Sequence, residues 1–340
     1  MKAVVVGGAG FIGCNLADSL MGEGNQVTVF DNLSRRGSAE NLAWLRSRHK
    51  GLEFVKGDIR LDHAKMEQAF SAADTVYHLA AQVAVTTSVA KPREDFEINA
   101  LGTFNVLEAA RNCGGNPSLI YASTNKVYGG MEDVKIVKKG RKYAYKDFPQ
   151  GIPENRLLDF HSPYGCSKGC GDQYVRDYAR IYGMKNVVFR QSCQYGPRQF
   201  GVEDQGWVAW FAIAAVLGKK ITIYGDGMQV RDVLYIDDLV RAFRVATQKI
   251  NAAKGKIYNI GGGPENTMSL LELIDFLEKH LDRRINYAHS DWRPGDQPVY
   301  VSDIRKAGKE LGWEPRISVE NGVARLIEWV KENRHLFKGF

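Results

Sequence analysis

An apolar stretch, Ala3-Val4-Val5-Val6, runs straight into Gly7-Gly8-Ala9-Gly10-Phe11-Ile12-Gly13. Few structures satisfy that pattern besides a strand that turns sharply into a helix. A strand with no polar face is covered on both sides, which implies a parallel sheet between helical layers. The alternation continues. Strands are expected at 2–6, 26–30, 53–56, 75–79, 118–122 and 186–190, and helices at 10–21, 63–73, 100–112 and 163–182. The predicted class is α/β: a doubly wound parallel sheet with a smaller mixed α/β substrate-binding lobe. Beyond 190 the pattern loosens. Short strands at 221–224 and 256–260 mix with helices at 205–217, 236–247, 269–281 and 319–333. The expected division assigns 1–190 plus about 232–261 to a dinucleotide-binding domain. Residues 191–231 plus 262–340 form the second lobe. Residues 129–159, rich in charge, Gly and Pro, read as a surface insertion, a candidate flap over a site.

The glycines point to a ligand. Gly7, Gly10 and Gly13 let the backbone turn tightly and approach a pyrophosphate, whose charge meets the N-terminus of the helix opened by Phe11 and Ile12. In its strand–turn–helix context this is a Rossmann-type signal. The second strand ends in Phe30-Asp31-Asn32, with Asp31 18 residues after Gly13. A carboxylate there accepts both adenosine ribose hydroxyls and repels a 2′-phosphate, favouring NAD over NADP. Arg35 and Arg36, close behind, pull the other way. Gly57-Asp58-Ile59 after the third strand places Asp58 near the adenine amino group.

A second motif carries chemistry: His161-Ser162-Pro163-Tyr164-Gly165-Cys166-Ser167-Lys168. Ser162 suits a helix N-cap and Pro163 its first position. Tyr164 and Lys168, one turn apart, share a face. A nearby cation favours phenolate, so Tyr164 is expected to titrate below its ordinary ~10 and to take a hydroxyl proton. Tyr121-Ala122-Ser123-Thr124-Asn125, at a strand end on the same side, adds a hydroxyl, Thr124, to share that proton.

With the glycine turn, Thr124, Tyr164 and Lys168 together, the chain resembles the extended short-chain dehydrogenase/reductases that act on nucleotide sugars. The resemblance runs the whole length. It includes His78-Leu79-Ala80-Ala81 and Asn99, which implies that Ala80, Ala81 and Asn99 flank the cofactor. It also includes Tyr224-Gly225-Asp226-Gly227 through Arg231-Asp232-Val233, then Arg293-Pro294-Gly295-Asp296. It implies that Arg231 and Arg293 hold the substrate pyrophosphate, a task suited to guanidinium geometry, with Asp296 beside them.

In that family the dehydratases carry Asp-Glu directly after the catalytic Thr, and the decarboxylases Ser-Glu. Here stand Asn125 and Lys126, which disfavours dehydration and leaves epimerisation. Longer motifs resemble the branch that epimerises CDP-linked 3,6-dideoxyhexoses at C2: 82–88, 123–129, 159–169, 198–200 and 204–208. Ser88, Asn125, Gln194, Gln205 and Trp207 are candidate substrate contacts. The catalytic trio acts on whichever hydroxyl is presented, so inversion at C4 stays open beside C2. A non-catalytic NAD sensor or RNA-binding protein is the reading from another class. The resemblance further implies a homodimer built on helices 100–112 and 163–182.

Composition narrows the setting. No apolar run approaches the ~20 residues of a membrane span, and the start lacks a signal-peptide pattern. A cytoplasmic protein without a membrane partner is expected. Five cysteines without a CxxC pair give neither a disulfide framework nor a metal site. The net charge of +7 is mild and suits an anionic small molecule as well as a nucleic acid. The basic cluster Lys135, Lys138, Lys139, Arg141, Lys142 and Lys146 reads as a solvated face, with no nucleic-acid partner expected.

Overall fold

The computed structural model describes residues 1–293 and 295–338. Its centre is a parallel sheet of seven strands. Across the sheet they run Ile257–Ile260, Asn186–Gln191, Ser118–Thr124, Thr75–His78, Lys2–Val6, Gln26–Asp31 and Glu53–Lys56. Chain order reverses between Lys2–Val6 and Thr75–His78. Open α/β sheets bind ligands at that switch point, outside the carboxyl ends of the strands. Val4, Val5 and Val6 are buried, as are Val187, Val188 and Phe189. Helices on both faces account for those continuous apolar runs.

Expected elements recur with small shifts at their ends. Sequence reading missed the helix Ser38–Arg48, the short helices Val85–Ala90 and Pro92–Phe96, and several two- to four-residue strands of the second lobe. The expected helix from 100 is the tail of a longer one. Pro92–Phe96 leads through a π turn, Glu97–Leu101, into Gly102–Asn112.

The second lobe is interlaced with the first. Val230–Tyr235 pairs with Cys193–Tyr195 in a small sheet with Thr267–Ser269 and Val299–Tyr300, while Ile257–Ile260 returns to the large sheet. Trp207–Leu217 is a helix with almost no polar face, buried against Val319–Glu332 and Leu270–Leu281.

The 129–159 segment is no free flap. It forms a hairpin, Ile136–Lys139 with Lys142–Tyr145, clamped to the second lobe. Tyr145 Oη donates to the Val299 carbonyl at 2.9 Å and Tyr143 Oη to Asp226 at 2.6 Å. Met131, Val134, Tyr145 and Ile152 share an apolar core with Val230, Val299 and Tyr300. Arg141 and Lys142 of the basic cluster pair with Asp275 and Glu272 at 3.0 and 3.3 Å. Those cations answer the second lobe's acids.

Candidate active site

The glycine turn is built for close approach. Gly7 has φ +80°, and a Cβ there would lie 2.5 Å from the Ala80 nitrogen; one on Gly13 would lie 2.3 Å from the Gly7 carbonyl oxygen. Both positions require glycine on steric grounds. Gly10 is roomier and caps the helix Phe11–Gly22, with no side-chain capping hydrogen bond among the described residues. That is a cradle for a phosphate anion.

Asp31 stands at its rim. Its carboxylate accepts the Ala9 N–H at 3.0 Å and the Leu33 N–H at 2.8 Å. Enclosure in the cleft pushes its pKa up and the two amides pull it back. Asn32 donates to Asp58 at 3.0 Å, and Arg60 clasps Asp58 at 2.8 Å, holding that carboxyl down at about 2. Asp58 therefore stays ionised, with part of its acceptor capacity taken. Ile59 is buried against Gly102.

Tyr164 and Lys168 lie on the helix Ser162–Ile181. The helix begins one residue early, at Ser162 (φ +64°), whose hydroxyl accepts the Gly165 N–H at 3.3 Å. Two glycines bring it hard against its neighbours. A Cβ on Gly169 would meet the Phe160 ring at 2.5 Å, and one on Gly171 the Tyr121 hydroxyl at 2.5 Å. Glycine weakens a helix by up to ~1 kcal/mol per residue, so these are positions where contact outweighs propensity. Beyond Lys168, Asp172 makes a buried two-pronged pair with Arg190 at 2.9 Å and accepts Ser123 Oγ at 2.8 Å. The catalytic helix is thus locked to the strands Ser118–Thr124 and Asn186–Gln191.

A second lock lies on the other side. Asp95 accepts from Ser167, and from Asn99 and Gln82 at 3.0 Å each. Asn99 exchanges two 3.0 Å hydrogen bonds with the Gln82 backbone. It is fully buried inside the π turn. Asn99 therefore positions the loop that contains Ala80 and Ala81. Such π turns recur at functional sites. Asp95 and Gln82 were missed, although Asp95 sits four residues before Asn99 on the same helical face.

Above these locks opens a cavity of about 370 Å³, within the range of ligand sites. Phe11 and Ile12 of the glycine turn line it, with Thr124, Asn125 and Tyr164 of the catalytic strand and helix. Gln194, Gln205, Trp207, Arg231, Arg293 and Asp296 line it from the second lobe. Thr124 Oγ1 caps a tight turn by accepting the Lys126 N–H at 3.3 Å. Arg231 pairs with Asp296 at 2.7 Å; Arg293 pairs with Asp204 at 3.1 Å and lies 3.8 Å from the Tyr224 ring centre. Pro294, inside that motif, lies outside the described residues.

Ser88 does not reach the cavity. It is fully buried, and its hydroxyl donates to the Val85 carbonyl at 2.7 Å. Thr86 lines the cavity instead. Two residues along a helix turn the side chain by roughly 200°, so Thr86 and Ser88 face opposite ways. Among the described residues, several cavity-lining polar atoms have no hydrogen-bond partner: Thr86 Oγ1, Gln194 Oε1 and Gln229 Oε1. Buried polar groups are rarely left so. They mark a surface that a polar ligand completes.

The electrostatics differ from expectation. Burial pushes Tyr164 up to about 12, against the pull of its hydrogen bond with Thr124. Burial presses Lys168 down to about 7, although Asp172 and Asp95 favour its charge. Lys168 Nζ lies 4.2 Å from the centre of the Tyr121 ring. At Tyr164 desolvation, joined by the Asp95 charge, outweighs the Thr124 hydrogen bond and the pull of Arg35, which the spacing alone does not disclose. Outside the cavity, Glu132, Asp159 and His161 bring three possible metal-ligand atoms within 4.8 Å on the surface.

A family profile described as GDP-mannose 4,6 dehydratase matches residues 4–326. The CDP-paratose 2-epimerase of Salmonella typhi is 45% identical over 336 residues, covering 97% of this chain and 99% of the relative. The crystal structure of UDP-glucose 4-epimerase from Thermotoga maritima with UDP-glucose superposes with a TM-score of 0.85 at 34% identity, covering 98% of this chain and all of that one. The UDP-glucuronic acid 4-epimerase of Bacillus cereus, solved with UDP-glucuronic acid and NAD, gives 0.83 at 28% identity over 98% and 99%.

Proposed function

The chain belongs to the GDP-mannose 4,6 dehydratase family, and from that membership we propose that it is an NAD-dependent nucleotide-sugar epimerase. It inverts C2 of a CDP-linked 3,6-dideoxyhexose of the paratose/tyvelose type. One observation carries this reading. Thr124 and Tyr164 share a single cavity with the glycine turn on one side and Arg231 and Arg293 on the other.

The dinucleotide fits the residues present. Gly7, Gly10 and Gly13 leave room for its pyrophosphate, Asp31 is placed for the adenosine ribose, and Asn32, Asp58 and Ile59 form the wall towards adenine. NAD supplies a hydride acceptor at C2 and returns the hydride, so none is consumed. Tyr164 takes the proton of the C2 hydroxyl as C2–H leaves with its electron pair, and Thr124 hydrogen-bonds the same oxygen. Arg231 and Arg293 hold the diphosphate while the 2-keto sugar turns. Tyr164 then gives the proton back as hydride reaches the opposite face. Asn125 and Lys126 leave no carboxylate beside Thr124 to expel water from the sugar. Ionising Tyr164 inside its buried site requires added positive charge, so Lys168 and cofactor occupancy together set its working pKa.

The unpartnered Gln194 and Gln229 oxygens suit donors on a ligand's polar edge. Leu101, Phe104, Tyr174, Ile181 and Tyr182 are exposed on or just beyond the helices Gly102–Asn112 and Ser162–Ile181. They support a homodimer formed across that face. We place residues 1–190 plus about 232–261 with the cofactor and 191–231 plus 262–340 with the nucleotide sugar; the strand Val230–Tyr235 straddles that boundary. Among the described residues no helix is long and apolar enough to cross a membrane. Five free cysteines suit the cytoplasm.

The test incubates the protein with NAD and CDP-tyvelose, CDP-glucose, GDP-mannose or UDP-galactose, and reads the sugar ring by proton NMR. Inversion at C2, fastest on the CDP-dideoxy sugar, is expected. Inversion at C4 alone would move the chain to the 4-epimerases. No turnover on any sugar would count against an epimerase.

A further inference from the structure

Lys126 has no part in the chemistry above, yet it lines the cavity two residues from Thr124. The cavity wall carries three cations and three carboxylates. Asp296 holds Arg231, and Asp204 holds Arg293. Glu203 accepts the Tyr224 hydroxyl at 3.2 Å. Lys126 has no carboxylate within ion-pair distance among the described residues. Among the described residues its Nζ donates only to the Gly295 carbonyl at 3.4 Å and to Gln297 Oε1 at 3.5 Å. Both bonds are at the long limit of useful geometry. A half-buried ammonium so weakly served is a donor awaiting an anion. The groups facing it are Arg231, Asp296 and the Cys193 thiol; burial and Arg231 hold its pKa down to about 8.

The chemistry of the substrate says which anion. In a sugar linked through C1, the β-phosphate is joined to C2 through C1 and one oxygen. When O2 lies between Thr124 and Tyr164, that phosphate stays within three bonds of C2, inside the cavity that Lys126 and Arg231 also line. For chemistry at C4 the phosphate would be across the ring. We propose that Lys126 is a third diphosphate ligand, gripping the β-phosphate beside the catalytic hydroxyls while the two arginines hold the rest. This rests on the nucleotide-sugar reading of the cavity.

The test is calorimetric binding of CDP and CMP to the NAD-loaded protein, for wild type, Lys126→Met and Lys126→Arg. Lys126→Met is expected to weaken CDP roughly 10- to 100-fold, the worth of one hydrogen bond between charged groups, and CMP by less than twofold. Lys126→Arg is expected to retain most of the CDP affinity. Wild-type affinity for CDP is expected to fall on the order of tenfold from pH 7 to 9.5, as free Lys126 loses its proton, and Lys126→Met to be flat. Equal losses for CDP and CMP, or no loss for either, would overturn the proposal. Normal NAD binding by each variant establishes that it is folded. UDP and UMP separate the two readings. If uridine binds better and UDP alone depends on Lys126, the cytidine assignment fails and the Lys126 assignment stands. If C2 epimerisation proceeds and neither diphosphate depends on Lys126, only this proposal fails.

Discussion

Replacing Asp31 by Asn removes a charge while keeping a shape, and the geometry sets how far cofactor choice should move. The carboxylate is held by two backbone N–H groups, from Ala9 at 3.0 Å and Leu33 at 2.8 Å. An amide has one oxygen, so one of these donors then faces an NH2 group, at about 1–3 kcal/mol for a bond left unmade. That part lowers the melting temperature and weakens both cofactors alike. The ribose hydroxyls lose a charged acceptor for a neutral one, about 1 kcal/mol each. NAD should therefore bind roughly 30-fold weaker from this loss alone. For NADP the repulsion of a 2′-phosphate disappears. Two unit charges ~4 Å apart at an effective dielectric of 20 repel by about 4 kcal/mol, so NADP gains by up to about a thousandfold. The measurement is calorimetric titration of both cofactors into cofactor-stripped protein, wild type beside variant. The discriminating quantity is the ratio of their dissociation constants, since the backbone damage cancels in it. A ratio within threefold of the wild type would refute the reasoning and put the reading of the ribose elsewhere.

Tyr164→Phe should lower turnover by on the order of 10²–10⁴ while NAD still binds; near-normal epimerisation by NMR would remove Tyr164 from its role. Arg190→Met strands the buried Asp172 carboxylate. The expected loss of about 3–5 kcal/mol is about 4–7 °C in melting temperature at ~2.1 cal/mol/K per residue, and a shift under 1 °C by calorimetry would contradict it. His78 is buried neutral, its pKa pressed to about 3 by desolvation, so the unfolded chain binds a proton that the native one does not. Stability should fall as pH drops from ~6.5 towards that value, by about 2 kcal/mol at pH 5. Urea unfolding of His78→Gln should show a shallower acid slope, and an unchanged slope would acquit His78.

Much of the site was legible because its parts are local. The glycine turn, Asp31 at a strand end and the one-turn spacing of Tyr164 and Lys168 are each set within a few residues of chain. What escaped depends on tertiary neighbours. Asp95 and Gln82 acquire meaning only when the π turn at Asn99 brings both against Ser167. Ser88 and Thr86 differ in role by a rotation along a helix too short to show periodicity. The insertion read as a flap because Tyr143, Tyr145 and Ile152 find their apolar partners more than 75 residues away in the chain. The expected fall in the Tyr164 pKa weighed the cation one turn along the helix and not the desolvation of the phenol.

The last strand of the large sheet has a consequence for how the chain comes off the ribosome. Ile257–Ile260 pairs with Asn186–Gln191, and the whole of 192–256 is made between them. The first six strands can emerge and associate early, but Asn186–Gln191 then ends the sheet as an apolar, unpaired edge of the kind that recruits other strands. That edge waits for about 65 further residues, several seconds at ordinary elongation rates. A nascent chain stalled before residue 257 would present an adhesive margin, and the chain's vulnerability to aggregation would lie in that interval of synthesis.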